Sequence, residues 1–327
     1  MSYSIQICLS VKKIILPVYL LLITTSTLAQ SNKTSLPIGV FDSGTGGLTV
    51  LNALLTLDFF NNKTGEQKPD GKPDFESEYF QYLADQSNMP YGNYAAENKT
   101  DLLKEHILKN IDFLLGNQYA AFEKNTWVRK DKLPVKMLVV ACNTATAYAL
   151  PDIKFYLNQQ GANVSVIGVI DAGAKAALEW QQKNGTGVIG VFATAGTVAS
   201  NGYQRTLKAF VKGMGMQEPF VVSQGGMGLA ESIDRDWAYF VDTLQHIRKD
   251  YKGPSIKNTQ YPIDTALLKL YNFNTTNNKI LCEYDGKGSC LDMQLNDPSN
   301  YVRYHLVSLL APNLGNYPIY DAVFIWC

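Results

Sequence analysis

The strongest constraint on this chain is an alternation. From Leu36 onward, short apolar runs closed by polar or glycine-rich turns exchange with stretches of helical periodicity. "PIGVFDSG" is the first run, and "GLTVLNALLTL" follows it with Leu48, Leu51 and Leu55 at helical spacing. "EYFQYLAD" reads as the next strand. "TDLLKEHILKNIDFLL" reads as an amphipathic helix with Leu103, Ile107, Ile111 and Leu114 on one stripe. "VKMLVVACNT", "VSVIGVID", "GVIGVFAT", "PFVVS" and "DAVFIWC" continue the series, separated by helical segments such as "AGAKAALEW" and "NGYQRTLKAFVKG". Uniformly apolar strands are buried on both faces, and their alternation with helices implies parallel sheets layered by helices. The expected class is therefore α/β. Ligands of such sheets bind at the carboxyl ends of the strands, so the polar residues closing each strand are the site candidates.

Three segments break the alternation. Residues 61 to 77 and 116 to 134 are polar and read as surface loops, while Gly253 to Asn300, rich in Asn, Thr and Tyr, interrupts a helix-to-strand connection. His106 and His246 read as helix-surface residues, and His305 falls in the amphipathic stretch "YVRYHLVSLL". A chain of 327 residues with 46% hydrophobic content can bury the cores of two domains. Lys plus Arg and Asp plus Glu number 29 each, which gives neither a basic stripe for nucleic acid nor an acidic tail. A small-molecule site is the default.

Lys12 and Lys13 precede "IILPVYLLLITTSTLA", and a polar segment begins after Ala29. A basic region, a short apolar region and a small residue at the end describe a secretory signal over 1–29. The alternative is an uncleaved anchor, against which stand the short apolar run and Pro17. The reading excludes this segment from the fold and places the mature chain outside the cytoplasm, in the periplasm if the cell is Gram-negative, with no membrane attachment after cleavage. In an oxidising compartment Cys282 and Cys290, which flank "EYDGKGS", are expected to close a disulfide across a tight hairpin. A zinc site there lacks two further ligands, so no metal is expected. With Cys8 in the signal, Cys142 and Cys327 are left.

Two strand ends carry candidate chemistry. The first is Asp42-Ser43-Gly44-Thr45-Gly46-Gly47, where glycines entering a helix let backbone N–H groups approach an anion. The spacing is neither that of a dinucleotide fingerprint nor that of a P-loop, and a carboxylate ligand would suit the same helix end. The second is Ala141-Cys142-Asn143-Thr144. Buried cysteine is commonly structural, whereas a cysteine at a strand end followed by two short polar donors suits an exposed, functional thiol. Both readings stand on the residues alone.

The stretches "IGVFDSGTGGLTVL", "MPYG", "VVACNTATA", "VIGV" and "IGVFATAGTVASNGYQ" occur in one order over residues 36 to 234. Together they resemble the signatures of the cofactor-independent glutamate racemases of the aspartate/glutamate racemase superfamily. The resemblance implies two pseudo-symmetric three-layer α/β/α domains with parallel sheets and a site in the cleft between them. It divides the chain into a first domain over 36–145, lacking the family's C-terminal return segment, and a second over 146–327 with an insertion at about 253–300. It implies two-base chemistry without pyridoxal phosphate or any other cofactor: one cysteine as thiolate removes the α-proton, and the other as thiol protonates the opposite face.

Carried over by position, Cys142 resembles the first catalytic cysteine and Asp42 the carboxylate that assists it. Cys327, at the end of "DAVFIWC", resembles the second catalytic cysteine, and the Thr-His-Tyr-Pro that follows it in the family is not in this sequence. Ser43, Pro90, Tyr91, Gly92, Asn143, Thr144, Thr194 and Thr197 match residues that hold the amino acid. "GGMGLAESID" aligns with a segment ending in Glu, which places Asp234 there. The implied ligand is a small amino acid, glutamate before aspartate, with a D-glutamate product for cell-wall peptidoglycan. A homodimer is left open. Two other classes compete: a non-catalytic amino-acid-binding protein on the same scaffold, and a thiol hydrolase using Cys142 with a histidine base.

Overall fold

The computed structural model describes residues 5–7, 35–120, 128–185, 188–311 and 323–326, the first and last of these as backbone only. The chain divides into two compact units, Met1–Ala172 and Gly173–Cys327. Among the described residues no helix is long and apolar enough to cross a membrane.

The first unit is built on β1 (Ile5–Ile7), β2 (Ile38–Asp42), α1 (Gly47–Thr56), β3 (Phe80–Ala84), α2 (Gly92–Ala96), α3 (Thr100–Leu115), β4 (Met137–Val140), α4 (Asn143–Gln159) and β5 (Ser165–Gly168). The sheet order is β1-β3-β2-β4-β5, with β2, β3, β4 and β5 parallel and β1 antiparallel on the β3 edge. Ile5–Ile7 belongs to the stretch that the sequence reading excludes from the fold. An open strand edge offers unpaired N–H and C=O groups that an extended apolar segment can satisfy.

Alternate residues of β2 enter different cores. Phe41 joins Leu83, Leu138 and Val140 against the α3 stripe Leu103, Ile107, Ile111 and Leu114. Val40 joins Tyr82, Ala84 and Ala141 against Val50, Leu51 and Leu54 of α1. Helices therefore cover both faces of this sheet, as an α/β chain requires. The α1 stripe differs from the expected one: Leu51 packs, but Leu48 and Leu55 are exposed. The sheet contacts the Val50-Leu51-Leu54 side, so the spacing gave the helix but not its rotation. The first unit also runs past residue 145, because α4 is one continuous helix whose Ala145, Ala149, Leu150, Ile153 and Leu157 pack into the core behind β4.

The second unit contains most of α5 (Val169–Asn184), then β6 (Val188–Ala193), α6 (Ala195–Ala199), α7 (Gly202–Met214), β7 (Phe220–Gly225), α8 (Leu229–Ile233), α9 (Leu268–Tyr271), β8 (Ile280–Tyr284), β9 (Cys290–Leu295), α10 (Pro298–Leu310) and β10 (Val323–Trp326). Its main sheet is parallel, in the order β10-β6-β7. The segment from Gly253 to Asn300 folds as α9 and the antiparallel hairpin β8–β9, joined by a disulfide between Cys282 and Cys290 with Cα atoms 5.5 Å apart. It shares an aromatic core with α10, in which Tyr271 lies 4.8 Å from the Phe273 ring centroid and 5.8 Å from that of Tyr304. His246 lies on an irregular segment rather than a helix. The Asp-rich, short-turn sequence around it makes hydrogen bonds such as the one from Arg248 N–H to Gln294 Oε1 (2.8 Å) in place of helical ones.

Candidate active site

Register brings the first unit's candidates together. Phe41 pairs with Val140, Asp42 with Ala84, and the N–H groups of Ala141 and Asp85 donate to the carbonyls of Phe41 and Asp42 (2.8 and 3.0 Å). Three parallel strands thus end at one level, with Asp42 between Asp85 and Cys142. Asp42 is buried, and its Oδ2 accepts from the Gly47 N–H at 2.8 Å, where α1 begins. A carboxylate at a helix N-terminus satisfies one of the orphan donors there. Gly47 is required by this approach: a Cβ would stand 2.6 Å from Asp42 Cβ and 3.0 Å from the Tyr82 hydroxyl. Tyr82 in turn donates to the Gly44 carbonyl at 2.8 Å and fixes the turn from below.

Cys142 is the N-cap of α4 and is only 5% exposed. The exposed thiol expected from the strand-end position is therefore a buried one, because Ala145 and the surrounding core close over it. Its Sγ accepts from the Ala145 N–H at 3.4 Å and lies 3.5 Å from Ser43 Oγ, so the two strand ends meet through the serine. Burial, then the charge of Asp42, pushes the thiol up to about 11, against the pull of Ser43 and the helix N–H. At neutral pH the resting group is a thiol. Asn143 and Thr144 form the first turn of α4 beside it, Thr144 buried and Asn143 partly so.

Met89–Pro90 is a cis peptide, and Pro90 is exposed. Tyr91 is buried in the core, and its hydroxyl donates to Asp85 Oδ2 at 2.7 Å. Its side chain therefore ties this loop to the core and to Asp85. Asp85 also accepts from Asn88 Nδ2 (2.8 Å) and Asn110 Nδ2 (2.7 Å). This buried carboxylate is missing from the motif-based residue set. The signal for it was the acid closing "QYLAD", and its importance appears only when α3 supplies Asn110.

In the second unit Thr194 caps α6: its Oγ1 accepts from the Thr197 N–H at 3.3 Å and bonds Thr197 Oγ1 at 3.0 Å. Thr197 is buried, and Thr194 is partly exposed. Asp234 is the exposed C-cap of α8, its carboxyl raised by partial burial. Glu231, in the first turn of the same helix, is more enclosed. Burial raises its carboxyl, the negative charges of Asp236 and Asp234 add to that, and the N–H groups of Glu231 and Gly228 oppose it. Of the two acids Glu231 is the more enclosed, since it lies near Tyr239 and Tyr301, whereas Asp234 is exposed at the helix end. His305 is fully buried. Cys327 lies outside the described residues, as does most of the 1–29 segment.

A buried thiol capping a helix at the carboxyl end of an interior parallel strand, with a carboxylate at the end of the adjacent strand, defines an α/β protein with a candidate site at its strand ends. No family model matches the chain. It is 34% identical over 237 residues to the glutamate racemase of Aquifex pyrophilus, covering 71% of this chain and 68% of that protein. It is 37% identical over 171 residues to the glutamate racemase of Oceanobacillus iheyensis, covering 52% of this chain and 46% of that one. The crystal structure of glutamate racemase from Campylobacter jejuni aligns over 88% of this chain and 80% of its own, at 22% identity and a TM-score of 0.42. The chain belongs to the glutamate racemase family. It spans less than half the length of the first curated relatives it matches, 46% and 45%.

Proposed function

We propose that the protein is a cofactor-independent amino-acid racemase that interconverts L- and D-glutamate. The observation that carries this is the convergence of Asp42, Ser43 and Cys142 at adjacent parallel strand ends. In the reading, Cys142 exchanges a proton with one face of the α-carbon and Cys327 with the other, and Asp42 assists Cys142. A thiol held near 11 suits a group that must return a proton to a carbanion, and its helix-end position supports the thiolate once formed. Ser43, Asn143, Thr144, Thr194, Thr197 and the N–H groups of Tyr91 and Gly92 are the proposed donors to the substrate, with the Pro90 ring as an apolar contact. On the second-face side the acid is Glu231 or Asp234.

Aspartate is the alternative substrate. A thiol hydrolase is disfavoured by one observation: among the described residues the partners of the Cys142 sulfur are Ser43 Oγ and the Ala145 N–H, not an imidazole. We further propose export on the strength of the basic and apolar N-terminal stretch, and a role in supplying D-glutamate for the cell wall. The test is solvent-deuterium incorporation at the α-carbon of L- and D-glutamate by the full-length protein. Exchange that is abolished in Cys142→Ala supports the reading; α-proton exchange with neither glutamate nor aspartate ends it.

A further inference from the structure

Helix α10 lays two aromatic side chains against the loop that leaves β7. Tyr301 and His305 are four residues apart, hence on one face, and both are fully buried at 0% exposure. Gly228 fits beneath the first ring. It sits at φ +78, and a Cβ there would come within 2.6 Å of Tyr301 and 2.8 Å of Tyr239. His305, one turn later, meets the same loop with both ring nitrogens. Nε2 is 2.9 Å from the Met227 carbonyl, and Nδ1 is 3.3 Å from Gln224 Nε2. A carbonyl only accepts, so Nε2 carries the proton and Nδ1 receives the Gln224 amide.

Filling space does not require histidine here. The ring packs tilted against Phe192 (5.6 Å) and edge-on to Tyr304 (4.9 Å), surroundings that an apolar side chain would suit, and a buried imidazole is costly unless both nitrogens are partnered. Both partners lie in one stretch, Gln224 to Gly228. The Gly226 N–H donates to the Ala193 carbonyl at 2.7 Å, which ties that stretch to the end of β6 just before Thr194. The same stretch runs directly into α8 and Glu231. Behind α10, the Tyr301 hydroxyl bonds the Tyr251 hydroxyl (2.8 Å) and donates to the Tyr239 carbonyl (2.9 Å), and the Tyr251 hydroxyl accepts from the Leu295 N–H (3.2 Å), so Leu295 of the inserted segment backs the brace.

We propose that His305 is a positioning residue that holds the Gln224–Gly228 loop, and through it Glu231, in the geometry needed for proton transfer, with the inserted segment as its buttress. The proposal rests on the racemase reading above.

The experiment compares the full-length wild type with His305→Phe, His305→Gln and Gln224→Leu by steady-state racemisation of glutamate in both directions. His305→Phe keeps the ring packing but removes both hydrogen bonds. It should lower kcat by about tenfold or more while moving KM by less than about threefold, the pattern of a loss confined to the transition state. His305→Gln supplies one donor and one acceptor and should return kcat to within about threefold of wild type. If His305→Phe does not fold, Gln224→Leu carries the test, because it removes one ring partner and leaves α10 intact; the same kcat-selective fall is expected. Wild-type turnover in whichever of the two variants folds overturns the assignment, as does a loss that His305→Gln fails to restore. A wild type that racemises normally beside silent variants sinks the positioning role alone. A wild type that exchanges no α-proton on glutamate or aspartate sinks the racemase reading and this assignment with it.

Discussion

Asp42 and Cys142 leave the sheet from neighbouring parallel strands, one residue beyond Phe41 and two beyond its partner Val140, and the charge of the carboxylate adds to burial in holding the thiol up at about 11. The pair is linked through Ser43, whose hydroxyl lies 3.5 Å from the sulfur. One parallel register thus sets the proximity of the two groups and adds the charge of Asp42 to the burial that already raises the thiol.

This relationship is testable by titration. Alkylation of the Cys142 peptide, followed by mass spectrometry across pH, should rise with a midpoint near 11 rather than at the ordinary thiol value. Asp42→Asn removes a negative charge that disfavours the thiolate, so the midpoint should move down. An unchanged midpoint in Asp42→Asn would show that burial alone sets the thiol.

Asp85 gathers hydrogen bonds from the Tyr91 hydroxyl, Asn88 and Asn110 at a site where it is 5% exposed. Asp85→Ala strands these donors and should cost on the order of 3 kcal/mol in urea unfolding. Tyr91→Phe removes one donor and should cost about 1 kcal/mol. Equal costs for the two substitutions would contradict the central role of the carboxylate.

His305 gives stability a pH dependence of fixed sign. Burial lowers its pKa in the folded chain to about 4, against 6.5 as the ordinary value. The unfolded chain therefore takes up a proton first as pH falls. The full contribution of the neutral ring is present above about 6.5 and is lost progressively toward about 4, by roughly 3 kcal/mol in all. In His305→Gln that component of the acid limb should be absent. An acid limb identical to wild type would be the adverse result.

The Cys282–Cys290 bridge spans a sequence separation of 8. Replacing both cysteines by serine should lower stability by about 2 to 3 kcal/mol on the chain-entropy account, since the loop closed is short. Racemase turnover at a temperature where both forms are folded should not change. A large loss of turnover there would mean that the hairpin does more than support the inserted segment.

Gly47 should not tolerate a side chain, because a Cβ would overlap Asp42 Cβ at 2.6 Å. Gly47→Ala is expected to lose about 1 to 3 kcal/mol by overpacking. It should also slow turnover, because the atom that must yield belongs to Asp42. A thermal midpoint and turnover equal to wild type would show that the α1 entrance relaxes freely.

The order of strands and helices was legible in the sequence because burial on both faces writes itself as uninterrupted apolar runs such as "IGVF", and because the α3 stripe from Leu103 to Leu114 has one partner surface. The polar closures at Asp42 and Cys142 were legible for the same reason: a run can end only where the strand leaves the sheet. What the sequence could not decide was everything set by a second element. The rotation of α1, which buries Leu51 and exposes Leu48 and Leu55, depends on where the sheet lies. The burial of Cys142 depends on α4 closing over it, and the role of Asp85 on Asn110 arriving from α3. Glu231 and Asp234 share a face of α8, and only Tyr239 and Tyr301, brought up by tertiary packing, enclose the first and leave the second exposed at the helix end. His305 shows the same division: its helix follows from spacing, but its two partners come from a loop 78 and 81 residues away, and only tertiary packing brings a donor and an acceptor to one ring. Periodicity is local and was readable; side-chain chemistry depends on neighbours, which the fold alone supplies.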